Sequence, residues 1–137
     1  MTHTLLDTGP LVALLDRAEK QHDWAVQQAA GLPARLLTCE AVISEAHFLT
    51  QNLPRARDLI ARWFDEGWIQ IGFDLQRHHA AAHALMTRYS SVPMSLADAC
   101  LVRMSELHTH SRVFTLDSDF RIYRRNKRQP IPLICPA

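Results

Sequence analysis

Two aspartates follow a short apolar run near the end of the chain. The run at residues 112–116 predicts a β-strand, and Asp117 and Asp119 come directly after it. In open α/β sheets, ligands bind outside the carboxyl ends of the strands, so carboxylates at that point face a ligand rather than the core. An Asx-type turn leading into Phe120 would explain the same two aspartates without any chemistry. Carboxylates elsewhere in the chain must decide between these interpretations.

Asp7 stands at a similar junction near the beginning of the chain. Residues 3–6 predict a first strand, and Gly9 and Pro10 open the helix that follows it. A turn residue before Gly9 is the structural explanation of Asp7. The alternative is that Asp7 and Asp117 end two parallel strands at the same edge of a sheet.

Glu45 is a charged residue in an otherwise apolar helical stripe. A helix over residues 39–52 places it between Val42 and Leu49, at the spacing that defines one face. A glutamate in that position is either paired or bound to a metal, or it lies at the edge of the stripe and reaches solvent. Periodicity alone leaves both alternatives open.

Asp98 also has two explanations. Ser95 and Asp98 have the Ser-x-x-acid spacing of a capping box, which stabilises the start of a helix by about 1 kcal/mol. The same register places Asp98 in the first helical turn, close to the end of the sheet. Asp98 can cap the helix and bind a ligand only if its two oxygens divide these tasks.

The carboxylates taken together point to a cation. Four acidic side chains at one edge of a sheet repel one another, and their pKa values rise unless a cation lies among them. Ligand sets made only of oxygen suit Mg²⁺ or Mn²⁺, which can bridge carboxylates to a substrate phosphate. The predicted set for phosphodiester cleavage is Asp7, Glu45, Asp98 and Asp117.

Alternating strands and helices must position these side chains. The pattern predicts a three-layer α/β/α fold with a short, mainly parallel sheet of about four or five strands. The 137 residues, 47% of them apolar, are typical of a single domain over residues 1–137. The predicted strands are residues 3–6, 35–38, 68–71 and 112–116, with a last extended segment at 131–134.

Composition limits the possible partners and compartments. A formal charge of +1 provides no general attraction to nucleic acid or membrane, so binding of a polyanion would need a local patch. Three cysteines far apart in the sequence are typical of a reducing cytosol. The first residues lack the features of a signal peptide or a membrane span, so we expect a cytoplasmic protein that does not enter membranes.

A local basic patch follows the last acidic motif. Residues 120–128 contain five basic side chains, with Phe120 and Tyr123 between them. Such a segment is either a solvated surface or an RNA contact, in which arginines hold phosphates and an aromatic ring stacks on an unpaired base. The predicted RNA-binding side chains are Arg121, Arg124, Arg125, Lys127 and Arg128.

Four motifs, in order along nearly the whole chain, resemble those of the PIN domains, and within them the small VapC-type toxin ribonucleases of bacterial toxin–antitoxin pairs. Residues 5–15 resemble the opening DT-x-x-L-x-x-L-L pattern, and residues 38–45 the second motif, with its acid at Glu45. Residues 95–99 resemble the third motif, and residues 115–120 the closing T-x-D-x-D-F pattern.

This resemblance implies a metal-dependent endoribonuclease in which the four acids hold one or two Mg²⁺ or Mn²⁺ ions. Asp119 would hold metal-bound water, while Thr8 and Thr115 would orient carboxylates. The resemblance also implies an RNA substrate, a cognate antitoxin and a homodimer. A PIN nuclease of RNA processing is the nearest alternative, and a non-catalytic, receiver-like phosphate-binding module, which would need a lysine at the site, is the alternative from another class.

Overall fold

The protein is described by a computed structural model that covers residues 2–33 and 35–137. Within these residues it has six α-helices and seven strands. The strands are β1 (His3–Leu6), β2 (Leu36–Thr38), β3 (Ile69–Ile71), β4 (Ser111–Phe114), β5 (Arg124–Arg125), β6 (Gln129–Pro130) and β7 (Leu133–Ile134). The helices are α1 (Thr8–Leu15), α2 (His22–Ala30), α3 (Glu40–Leu49), α4 (Ala56–Asp65), α5 (Leu75–Arg88) and α6 (Leu96–Leu107).

Five strands form one parallel sheet in the order β3-β2-β1-β4-β7. From the central strand β1, the chain builds β2 and β3 on one side and later places β4 on the other. In register, Leu6 of β1 pairs with Phe114 of β4. The carboxyl ends of β1 and β4 therefore form a topological switch point, the position at which open α/β sheets bind ligands. The predicted three-layer, mainly parallel fold is confirmed.

The central strands are apolar because helices cover both faces of the sheet. Leu5 and Leu6 of β1, and Val113 and Phe114 of β4, are fully buried. Consecutive buried residues are typical of parallel strands, and each large side chain stabilises the fold by about 1.5–3 kcal/mol. The backbone that ends at the switch point is thus anchored in the core on both of its strands.

Local sequence signals fix where several helices begin and end. Pro10 lies in the first turn of α1, where its missing N–H costs no hydrogen bond. Gly67 follows α4 with a φ of 73°, a left-handed conformation that favours glycine. Ser95 and Asp98 form the predicted capping box at the start of α6. This last cap places Asp98 beside the end of the sheet.

The end of the chain differs most from the sequence-based expectation. Residues 118–121 form a 3₁₀ helix, and the basic segment continues into the antiparallel hairpin of β5 and β6. Asn126 and Lys127 turn the hairpin with φ values of 50° and 69°. Among the described helices, none has the length and apolar character needed to cross a membrane.

Candidate active site

A cleft of about 520 Å³ opens at the carboxyl ends of β1 and β4. Its walls come from the start of α1, the middle of α3, the start of α6 and the loop after β4. Gly9 belongs to this wall, and a Cβ there would come within 3.1 Å of the Leu116 side chain, so glycine permits this close packing. The acidic side chains that line the cleft are Asp7, Glu19, Glu45, Asp98 and Asp117.

Asp7 is the most constrained of these acids and is only 6% exposed. Its backbone N–H donates to the carbonyl of Phe114 over 3.0 Å, which ties the end of β1 to the end of β4. Its Oδ1 accepts a 2.7 Å hydrogen bond from the N–H of Thr8, and its Oδ2 accepts one of 2.7 Å from the hydroxyl of Thr115. Asp7 thus caps α1 and is held to the end of β4 through both its backbone and its side chain.

Thr115 connects Asp7 to Asp117. The buried Thr115 hydroxyl accepts a 2.9 Å hydrogen bond from the N–H of Asp117 while it donates to Asp7. Asp117 Oδ1 in turn accepts from the N–H of Asp119 over 2.9 Å, which is the Asx-type turn considered from the sequence. The turn and the cleft position therefore coexist at Asp117. Asp119 does not line the cleft, and its predicted outer role stays a prediction.

Asp98 divides its oxygens in the way that a double role requires. Its Oδ2 accepts hydrogen bonds from the N–H of Ser95 over 3.2 Å and from the hydroxyl of Tyr123 over 3.3 Å. Its Oδ1 accepts no hydrogen bond from the described residues. The helix cap therefore uses one oxygen and leaves the other for a ligand.

Glu45 is exposed at the edge of the apolar stripe rather than buried within it. The hydroxyl of Thr8 donates to its Oε2 over 3.0 Å. Val42 is buried as expected, but the expectation that Leu49 belongs to the core face is wrong, because Leu49 is 61% exposed. This part of α3 borders the open cleft, so no packing layer covers it.

Burial and mutual repulsion disfavour ionisation of the two innermost acids. Burial is the main cause that raises the pKa of Asp7 from 3.8 to about 7, and the charges of Asp98 and Asp117 add to it. The hydrogen bonds from Thr115 and Thr8 oppose this rise. Burial also raises the pKa of Asp98, and the charge of Asp117 adds to that effect. A cation in the cleft would favour the ionised form of both side chains and so lower their pKa values.

The donor set fits a hard divalent cation. Within residues 2–33 and 35–137, no three His, Cys, Asp or Glu side chains stand close enough to hold an ion by themselves. Mg²⁺ does not require such a cage, because it keeps several waters and is bound through one or two carboxylates. Carboxylate oxygens without sulfur or imidazole suit Mg²⁺ or Mn²⁺ better than Zn²⁺.

The structure does not favour the alternative in which Phe120 or Tyr123 stacks on an RNA base. Both side chains are fully buried, with ring centroids 5.2 Å apart, and Tyr123 also packs edge-on against Tyr89 at 5.1 Å. Phe120 in the 3₁₀ helix and Tyr123 just after it both point inward, while basic neighbours such as Arg121 and Arg128 are exposed. Tyr123 instead supports the site through its hydrogen bond to Asp98.

Three of the four arginines of the basic segment form hydrogen bonds within the protein. None of the five predicted RNA-binding side chains lines the cleft. Arg124 donates to three carbonyls at the end of the 3₁₀ helix, including that of Arg121 over 2.7 Å. Arg125 donates to two carbonyls near the end of α6, and Arg121 to one near the chain end. The side chains of Lys127 and Arg128 have no hydrogen-bond or ion-pair partner among the described residues, and RNA binding by the segment stays a prediction.

Glu19 is the cleft residue that sequence reasoning missed. It lies in the loop between α1 and α2, where its N–H donates to the carbonyl of Asp16 over 3.1 Å. Neither periodicity nor a strand end marks it in the sequence. Only the path of the loop over the cleft reveals it. Neither lysine of the chain, Lys20 or Lys127, lines the cleft, so its described lining does not favour the receiver-like alternative.

Comparisons with known proteins identify the fold and the family of the chain. The fold is similar to a crystal structure of VapC20 from Mycobacterium tuberculosis, described as a sarcin-ricin loop cleaving toxin, with a TM-score of 0.79 and 18% sequence identity. The match covers 93% of this chain and 99% of that chain. No curated protein gives a significant sequence match. The PIN domain family model matches residues 4–126, and the chain therefore belongs to the PIN domain family.

Proposed function

We propose that the protein is a divalent-metal-dependent endoribonuclease and the toxin of a toxin–antitoxin pair. The observation that carries the proposal is the convergence of four carboxylates from separate segments in one cleft at the switch point of the sheet. Membership of the PIN family and the fold shared with a toxin that cleaves RNA support it. Mg²⁺ or Mn²⁺ would be held by Asp7, Glu45, Asp98 and Asp117, one or two of them directly and the others through metal-bound water.

Hydrogen bonds within the cleft prepare these carboxylates for an ion and a phosphate. A Mg²⁺ or Mn²⁺ ion held by these carboxylates would lower the pKa of a water and neutralise charge on the phosphate and the leaving oxygen. Thr115 fixes Asp7 and the backbone of Asp117 together, so the ligands from β1 and β4 keep one relative position. Thr8 restrains Glu45, which is otherwise exposed. Such support limits the reorganisation that would weaken catalysis.

Mutation of the cleft acids tests the proposed activity. The purified protein should cleave RNA with Mg²⁺ or Mn²⁺ and not with EDTA, and Asp7→Asn and Asp98→Asn should each abolish cleavage. The matched control is Asp74→Asn, because Asp74 also caps a helix but lies outside the cleft. Folding of each variant is checked by circular dichroism. Metal-dependent cleavage that persisted in both cleft variants would refute the site assignment.

A second experiment separates the toxin from a processing nuclease. If the protein is a toxin, its expression should arrest growth, Asp98→Asn should not, and the product of a neighbouring short open reading frame should restore growth. Normal growth together with RNA cleavage in vitro would favour the processing enzyme. We further propose a cytoplasmic homodimer. The three free cysteines are compatible with a reducing compartment, and the dimer follows from the family resemblance alone.

A further inference from the structure

Phe48 is the one exposed aromatic side chain among the ten Phe, Trp and Tyr residues of the chain, all of which the structure describes. It is 68% exposed, whereas the other nine are buried or half-buried. Its neighbour Leu49 is 61% exposed, and these two are the most exposed large apolar side chains in the described residues. Single exposed apolar residues are ordinary, but two adjacent ones beside an acidic cleft call for an explanation.

Phe48 lies directly beside the candidate active site. It follows Glu45 by three positions on α3, a spacing that places the two side chains roughly 5–6 Å apart at their Cβ atoms. A depression of about 430 Å³ is lined by Ser44, Glu45, Phe48 and Leu49. Glu45 and Leu49 also line the acidic cleft, so the two spaces are adjacent along α3 and share these two wall residues. An RNA with a phosphate among the carboxylates would therefore bring a neighbouring nucleotide close to Phe48.

We propose that this depression is a nucleobase subsite, in which the ring of Phe48 stacks on one unpaired base of the RNA next to the scissile phosphate. The inference rests on the proposed function, since it names a feature of that substrate. Stacking on an aromatic ring binds any base through its flat face and adds no charge to an already acidic surface. The apolar side chain of Leu49 would cover the edge of the base, and the hydroxyl of Ser44 can donate a hydrogen bond to the base or accept one from it.

The subsite limits the kind of RNA that the protein can bind. A base inside a duplex has both faces covered by its neighbours, so only an unpaired base in a loop, bulge or single strand can stack on Phe48. The buried Phe120 and Tyr123 cannot supply this contact. Preference for unpaired RNA thus depends on α3 rather than on the basic segment.

Fluorescence anisotropy with a short, unstructured, labelled RNA tests the subsite, with Ca²⁺ replacing Mg²⁺ so that binding is followed without turnover. Phe48→Ala should weaken binding by roughly 5- to 150-fold, the range expected for one stacked base. Phe48→Tyr should retain binding, because the ring is kept. Leu107→Ala is the matched control, since Leu107 is also an exposed apolar helix residue but ends α6 away from the cleft. Binding of the same RNA annealed to its complement should not depend on Phe48.

The outcomes separate this inference from the proposed function. If the wild type binds unpaired RNA through Phe48 but does not cleave it with Mg²⁺ or Mn²⁺, the subsite stands and the nuclease proposal fails. If the wild type cleaves and Phe48→Ala binds and cleaves equally well, the subsite is refuted and the nuclease proposal stands. If Phe48→Ala converts a dimer to a monomer in analytical ultracentrifugation without RNA, Phe48 belongs to an interface between copies and the inference falls.

Discussion

Replacing Asp7 by asparagine should stabilise the metal-free protein above neutral pH, although we expect it to abolish the proposed cleavage. Burial first, and the charges of Asp98 and Asp117 second, raise the pKa of Asp7 from 3.8 to about 7. Each tenfold change in proton affinity corresponds to about 1.4 kcal/mol, so the ionised side chain destabilises the folded state by about 4 kcal/mol. This destabilisation is the consequence of placing a carboxylate where a cation is expected to bind.

The sign of the pH dependence follows from the proton balance. Between about pH 4 and pH 7, the folded state keeps a proton on Asp7 that the unfolded state has lost, so stability falls as the pH rises through this window. Asparagine does not ionise, so the variant does not lose stability as the pH rises through this window. It also offers one acceptor oxygen where Asp7 offers two, so the hydrogen bond from Thr8 or Thr115 weakens at a cost of about 1 kcal/mol. The net gain at high pH is about 3 kcal/mol, roughly 10 °C in Tm.

Thermal unfolding in EDTA at about pH 5 and about pH 8 measures this effect. The difference between variant and wild type isolates Asp7 from the eight histidines, which titrate in both proteins. The variant should be more stable than the wild type at the higher pH, and the gain should shrink at the lower pH. Asp74→Asn should show no such pattern, and Mn²⁺ should raise the Tm of the wild type more than that of Asp7→Asn. Equal stability of variant and wild type at the higher pH would refute the electrostatic reasoning.

Three further variants probe the support of the site and the basic segment. Tyr123→Phe keeps the buried ring but removes the hydroxyl that donates to Asp98, so it should lower Mn²⁺ affinity about tenfold in a fluorescence titration; unchanged affinity would contradict a supporting role. The double variant Lys127→Ala and Arg128→Ala should weaken RNA binding and reduce its salt dependence without changing Tm. By contrast, Arg125→Ala should lower Tm in a thermal melt, because its guanidinium donates to two carbonyls near the end of α6.

The strand-end acids were predictable because their position depends on topology alone. Once residues 3–6 and 112–116 are assigned to parallel strands, Asp7 and Asp117 must emerge at the same sheet edge. The sequence does not specify which strands are adjacent, and the pairing of β1 with β4 supplies that information. Asp98 illustrates a real ambiguity, because its structural and ligand roles use different oxygens of one carboxylate.

The orientation of the aromatic side chains near the end of the chain was not predictable from residue types. Phe120 and Tyr123 lie among arginines, a pattern typical of a surface, yet both rings are buried in the core, Phe120 from the 3₁₀ helix and Tyr123 from the residues after it. A helix of four residues is too short to show a periodicity. The sequence-based prediction missed Glu19 for a related reason, because a loop reaches a site through tertiary packing and not through a local sequence pattern. The prediction for Leu49 was wrong because periodicity assumes that another element packs on the apolar face of a helix, whereas this part of α3 borders a cleft.

The acids of the cleft differ in how strongly the fold restrains them before a cation binds. Asp7 is hydrogen-bonded through both oxygens and buried, whereas Glu45 is exposed and, among the described residues, is restrained by Thr8 alone. A cation needs the ionised carboxylate, so binding of the proposed ion would displace the proton that Asp7 holds near neutral pH. Affinity for the ion should therefore rise with pH until Asp7 is fully ionised. Binding of the ion would restore the stability lost by burying Asp7, which would couple a rigid site to a less stable metal-free state.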